Sequence, residues 1–179
     1  MKKVRIRAIA KYGFAAVPLM ALLSFGTPTF GGTGGSQEIS ESQVEFGKTV
    51  FQTKANCIFC HHWSGNGQGT ERSETPGLSL RETSLTREQL IEVVQCGRPG
   101  TPMPYHDAFA YTDDRCFGLT AEALGELTPP RTVESTLQRR EIEAAVDYLL
   151  VRVVGMGEIT VEECEVFWGD GAGACDQYR

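Results

Sequence analysis

A chain of 179 residues has room for one domain of ordinary size and some additions. With 41% hydrophobic and 22% charged residues, its composition argues against a disordered chain and against a multi-span membrane protein. Residues 1–37 hold five of the 17 basic residues and none of the 23 acidic ones, so the remainder carries about eleven negative charges. That surplus argues against nucleic acid and anionic membranes as partners. It either serves solubility alone or steers the chain toward a partner with a basic docking patch.

In chain order, Lys2, Lys3, Arg5, Arg7 and Lys11 precede a 14-residue apolar run at 13–26, the order of a secretory signal. A bilayer-spanning helix needs about 20 apolar residues, and Pro18 weakens this run further. Export with removal of the leader is therefore expected over a retained anchor. No Ala-x-Ala marks the cut, and the Gly-rich stretch that follows reads as a linker, so 1–37 forms a signal peptide and linker with no defined cleavage site.

Ser42 and Glu45 form an S-x-x-E capping box ahead of Val44, Phe46, Val50 and Phe51, which predicts an N-terminal helix. Residues 64–84, rich in Gly, Ser and Thr, predict an extended loop. Thr86 and Gln89 cap a short helix carrying Leu90, Ile91, Val93 and Val94, which stops at Gly97. Three prolines in residues 98–104 demand a stiff loop. A short helix is expected over 121–127 before the Pro129-Pro130 break. Ser135 and Gln138 then open the clearest helix, with Ile142, Ala145, Val146, Leu149, Leu150 and Val153 on one face, and Gly155 ends it. Thr160 and Glu163 cap one more element in the tail. With no strand-like run, the expected class is all-α: a domain over 38–155 and a C-terminal extension, 156–179, packed on it.

Six cysteines in an exported chain should not remain loose thiols. Neighbours in sequence are the cheapest to join, which favours Cys96 with Cys116 and Cys164 with Cys175. Cys57 and Cys60 belong to a different pattern, Cys57-Ile58-Phe59-Cys60-His61. Residues three apart in a helical turn share a face. Two sulfurs there reach one edge of a flat ligand while the adjacent imidazole reaches its centre, as in covalent haem c attachment. A zinc site needs four ligands, and no second C-x-x-C exists. His62 and His106 follow no zinc spacing. A redox dithiol calls for a βαβ setting that the strand-poor chain lacks.

If iron is bound by His61, its opposite ligand must come from elsewhere. Met1 and Met20 lie in the leader, and Met156 sits between glycines after the last helix. Met103, held between Pro102 and Pro104 and 42 residues past His61, is the strongest candidate. Thioether ligation favours reduced iron and raises the potential relative to two imidazoles. His106 competes for that place, whereas His62 points elsewhere on the turn. A Cys96–Cys116 bridge would enclose Met103 in a closed loop and hold it on iron.

"GKTVFQTKANCIFCH", then Pro76-Gly77-Leu78, then "LTREQLIEVVQCGRPGTPMP", then "REIEAAVDYLL" together resemble, in order and spacing, the class I monohaem cytochromes c over residues 43–153. The resemblance implies a cytochrome c fold holding one covalent haem c, thioether bonds at Cys57 and Cys60, and His61 and Met103 as axial iron ligands. It also implies that the Pro76 carbonyl orients His61 and that two helices cross closely at Gly47, Phe51 and Tyr148. The additions are a stretch between Met103 and the last helix and the cysteine-bearing tail. Neither is needed to hold haem, so both are candidate docking surfaces.

With both axial positions filled, such a haem leaves no site for substrate, and no paired carboxylates, Ser/His/Asp set or phosphate-binding loop stands out. The expectation is therefore a periplasmic one-electron carrier rather than an enzyme. It would take electrons from a dehydrogenase, with quinoprotein alcohol dehydrogenases a reasonable partner class from general character, and pass them to an oxidase or another cytochrome. The alternatives are a permanent haem c subunit of a larger oxidoreductase, in which a retained leader anchors it to the membrane, and a haem enzyme or ligand sensor in which Met103 leaves the iron.

Overall fold

Among the described residues there are six α-helices, four of them eight residues or longer, and three shorter π or 3-10 segments. The computed structural model describes residues 38–73, 75–131 and 136–179. The expected signal peptide, its linker and Ser135 lie outside the described residues. No β-strand occurs among the described residues, only two isolated bridges, Tyr105 with Arg131 and Cys116 with Leu119. No helix among them is long and apolar enough to cross a membrane.

Helix α1 (Glu41–Thr49) runs on into a π-helical turn, Val50–Lys54. Its N-cap is Ser40, whose side chain accepts from the Gln43 N–H, rather than the Ser42 expected from the S-x-x-E pattern. Ser40 has the extended backbone a cap requires, and Ser42 falls inside the first turn. Val44, Val50 and Phe51 are buried as expected, but Phe46 is exposed, because it stands about 200° around the helix from Val44.

Helix α5 (Arg139–Arg152) crosses α1 at Gly47. A Cβ at Gly47 would lie 1.9 Å from the Ala144 carbonyl oxygen and 2.8 Å from Tyr148 Cβ, so only glycine permits this approach. Phe51 and Tyr148 pack with ring centroids 5.5 Å apart, completing the crossing that the sequence suggested. The predicted face of α5 is buried except for half-buried Leu150, and Ala144, Asp147 and Tyr148 are buried as well because α1 covers a second face.

Helix α3 (Arg87–Cys96) carries both halves of the Thr86–Gln89 capping box and ends at Gly97, as expected. It joins α5 through Arg87, which donates to Asp147 at 2.6 and 3.2 Å, while Gln43 of α1 donates to the same carboxylate at 3.3 Å. One buried aspartate therefore ties three helices together. Lys54 reaches the buried Glu141 at 2.6 Å in the same manner. Burial works to raise the Glu141 carboxyl, but the hydrogen bonds from Lys54 and the Gln138 N–H and the charges of Lys54 and Arg140 outweigh it and hold it below its ordinary value.

Helix α4 (Ala121–Leu124) and a 3-10 turn, Gly125–Leu127, fill the expected short element before Pro129. Both expected bridges are formed, Cys96–Cys116 and Cys164–Cys175. Helix α6 (Val161–Trp168), capped by Thr160, does more than lie on the domain. Its Cys164 and Phe167 share one buried cluster with Val44, Phe51, Trp63, Tyr148 and Leu149.

Candidate functional site

After Asn56, at φ 50°, the chain enters α2 (Ile58–His61), a single turn in which the His61 N–H donates to the Cys57 carbonyl at 2.9 Å. His62, at φ 65°, breaks the turn at once. The turn places Cys57 and Cys60 on one face, as their spacing requires. Both thiols are unpaired and half-buried, although the other four cysteines are bridged. Burial pushes the Cys57 thiol up to about 12, with Cys60 adding to the rise, so Cys57 is protonated at neutral pH rather than poised as a thiolate nucleophile.

The loop at 76–78 closes against the imidazole. Gly77 donates its N–H to the Cys60 carbonyl at 2.7 Å. A Cβ on Gly77 would stand 2.6 Å from His61 Nδ1 and 2.8 Å from Cε1, so glycine lets the backbone lie against the ring. The carbonyl that meets Nδ1, at 2.9 Å, is that of Leu78 and not that of Pro76. The Gly77-to-Cys60 bond draws the backbone in one residue past Pro76, and the next carbonyl along is the one presented to the ring.

A carbonyl only accepts, so Nδ1 carries the proton and donates it to Leu78. Burial lowers the His61 pKa, the Leu78 carbonyl opposes that, and the nearby Arg98 charge lowers it further, with a net downward shift. The ring is therefore neutral at neutral pH, with its lone pair on Nε2. That is the tautomer a metal-binding histidine needs, fixed by a backbone acceptor.

Met103 lies half-buried in the loop at 98–104. The loop closes on itself: the Arg98 N–H donates to the Met103 carbonyl at 3.3 Å, and the Met103 N–H to Thr101 Oγ1 at 3.3 Å. Gly100 donates to the Leu127 carbonyl at 2.8 Å, which ties the loop to the turn after α4. At its base stands the Cys96–Cys116 bridge, and Tyr111 donates its hydroxyl to the Cys96 carbonyl at 2.8 Å. The structure thus gathers Cys57, Cys60, His61 and the 76–78 loop into one cluster. It brings the root of the Met103 loop, Arg98, within electrostatic reach of His61.

The competing ligands are placed differently. His106 is buried, with its backbone N–H on the Gln95 carbonyl and its own carbonyl receiving the Leu137 N–H. His62 pairs through Nδ1 with Ser64 Oγ at 2.9 Å and packs beside Trp63. Met156 is exposed, as its position between glycines suggests.

Sequence reading missed three features here. The Leu78 carbonyl has no side-chain signal. Arg81, buried near the end of the 64–84 loop, donates to Glu163 at 2.5 and 2.9 Å and to the carbonyls of Ser64, Gly157 and Glu158, and no periodicity announces it. Trp63, two residues after His61, packs against Phe167 and Tyr178 of the tail. Its position beside the motif and the aromatics of the tail were the only hints.

The donors, two unpaired thiols and a neutral imidazole in one turn, are of the kinds a covalently held haem uses. Among the described residues, no group of three or more His, Cys, Asp or Glu side chains is arranged to hold a metal, so no closed four-ligand zinc set is assembled. A porphyrin brings four ligands of its own and asks the protein for thiols, axial donors and apolar surface. Phe59 in the motif, Leu78 beside His61 and Leu127 beside the Met103 loop are large apolar side chains left exposed near these donors. Compared with protein-family models, curated proteins and solved structures, the chain matches none.

Proposed function

We propose that the chain is an exported one-electron carrier of the class I cytochrome c type. One haem c would be tethered by Cys57 and Cys60 and ligated by His61 and Met103. The observation that carries this reading is the His61 imidazole, held neutral with Nδ1 on the Leu78 carbonyl, in the same turn as two thiols left unpaired by a chain that bridges its other four cysteines.

The haem would supply reversible exchange of one electron at its iron. The protein's part is positional. The Leu78 carbonyl orients His61 and strengthens its donor character, and Gly77 lets that backbone come close enough to do so. The self-closed loop at 98–104, rooted at the bridged Cys96, limits the movement of Met103, a weak ligand that would otherwise exchange with water. Two disulfides are in keeping with an oxidising compartment such as the periplasm. A dehydrogenase, of the quinoprotein alcohol type by general character, would be the donor, and an oxidase or second cytochrome the acceptor.

The test is production of the full chain in a host with c-type haem maturation, followed by optical spectroscopy of the denatured and native protein. Retention of haem after acid-acetone extraction, together with the long-wavelength ferric band of methionine ligation, is expected. Met103→Ala should abolish that band and admit carbon monoxide. A protein that retains no covalent haem under these conditions defeats the proposal.

A further inference from the structure

The C-terminal extension builds a concave face beside the haem-attachment turn, lined by Ile58, His62, Trp63, Glu71, Trp168 and Gln177. Trp168 is 42% exposed at its edge, a large aromatic side chain left at the surface by a helix whose neighbouring Phe167 is buried. Ring contacts run inward from it without a break. Trp168 meets Phe167 at 4.9 Å between centroids, Phe167 meets Trp63 at 5.5 Å, and Trp63 meets His62 at 5.5 Å, one residue beyond His61.

The charge of this region is predominantly negative. From Glu158 to Arg179 the chain has six acidic residues and one basic residue. Glu163 is neutralised by Arg81, and Arg179 serves both Glu165 and Asp176. Glu158, Glu162 and Asp170 have no ion-pair partner among the described residues, and Glu71 adds its charge to the concave face itself. The opposing charges on this side are Lys48, which donates to the Val166 carbonyl at 2.9 Å and stands 5.3 Å from the centre of the Phe167 ring, and Arg72, in the adjoining hollow beside Phe59.

We infer that this face, centred on Trp168 and bordered by the acidic tail, is where a basic redox protein docks to exchange electrons with the group held at His61. The inference rests on the carrier reading. An exposed tryptophan in a concave setting is the residue type that anchors protein interfaces. A predominantly acidic border steers a basic partner toward it and speeds encounter without demanding tight binding. The haem held by Cys57, Cys60, His61 and Met103 would supply one-electron exchange with the partner's redox centre, one centre being oxidised as the other is reduced, with no bond or proton transferred.

The test uses the reduced full-length holoprotein with a strongly basic mitochondrial cytochrome c, in its ferric form, as the probe. Trp168→Ser should slow the second-order rate about tenfold, and the pair Glu162→Gln with Asp170→Asn should slow it about threefold at low salt and flatten its salt dependence. Glu122→Gln with Glu126→Gln, on and just after α4 in the other addition, should leave the rate unchanged, and thermal unfolding checks that each variant is folded. Carbodiimide cross-linking to the probe gives a readout independent of haem, and links should fall on Glu71, Glu162 or Asp170. Slowing by the α4 pair alone, or cross-links confined to 107–126, overturns the inference. A preparation without haem defeats the carrier reading, while cross-links on the tail would still support the docking face.

Discussion

The chain has two disulfide-pinned additions, and they are built differently. In the stretch after Met103, the Cys96–Cys116 bridge forms a small cluster of its own with Ala110 and Tyr111, flanked by Tyr105 and Leu124. In the tail, Cys164 and Cys175 are buried in the same cluster as the crossing of α1 and α5, together with Trp63 from beside the Cys57–His61 turn. The two bridges close loops of different length, with separations of 20 and 11 residues, but the dependence on length is logarithmic and the chain-entropy model gives each roughly 3 kcal/mol. What separates them is what they hold. The first governs a satellite joined to the Met103 loop, and the second governs the core itself.

The largest expected effect comes from cutting the tail's polar anchor. Arg81→Ala leaves Glu163 mostly buried without its partner and should cost about 3–5 kcal/mol. Denaturant unfolding followed by tryptophan fluorescence should show one cooperative transition shifted as a whole. A tail that detaches first, with the rest intact, would break the comparison by making it a satellite too.

Next come the bridges. Alanine at both Cys164 and Cys175 should lower the global transition by roughly 3 kcal/mol. Alanine at both Cys96 and Cys116 should instead accelerate hydrogen exchange at the Leu119 and Ala121 amides, which donate to Cys116 and Tyr111, ahead of amides in α5. If the proposed haem is bound, the same pair of substitutions should also weaken the methionine-ligation band and lower the potential. Unchanged ligation in a folded variant would separate Met103 from its bridge.

Tyr111→Phe is a milder version of that change. It removes the hydroxyl bond to the buried Cys96 carbonyl and should cost about 1 kcal/mol. Local exchange near 96–121 would report it, with little change in the global midpoint.

The smallest effect belongs to neither addition and supplies a baseline. Glu141 has a lowered carboxyl pKa in the folded protein, so its stabilising contribution is present above the ordinary value of 4.5 and is lost as pH falls through the lowered native value. Glu141→Gln should therefore differ from the parent by about 1 kcal/mol at neutral pH, and the gap should close in acid. A gap that persists unchanged below that range would show that Lys54 and the Gln138 cap are not its source.

Much of the scaffold was legible before any coordinates. The α5 periodicity, the Thr86 capping box, the Gly97 stop and the Thr160 cap depend on residues within a turn or two of each other, where local rules decide. The clustered Cys57, Cys60 and His61 were legible for the same reason, since one helical turn sets their relation. Ser40 in place of Ser42 shows the limit of that approach: two hydroxyls stand ahead of the same helix, and only the path of the entering chain selects one.

What the amino-acid order determined alone was the all-α class, the thiol–thiol–imidazole turn and the stiff Met103 loop, while it only favoured the pairing of the other four cysteines that the structure forms. The tertiary structure decided the acceptor for His61, the Arg81–Glu163 anchor and the ring series from Trp168 to His62. Each of these joins segments across loops that have no periodicity. A carbonyl, a lone arginine and scattered aromatics acquire their roles only when helix packing returns distant parts of the chain to one place.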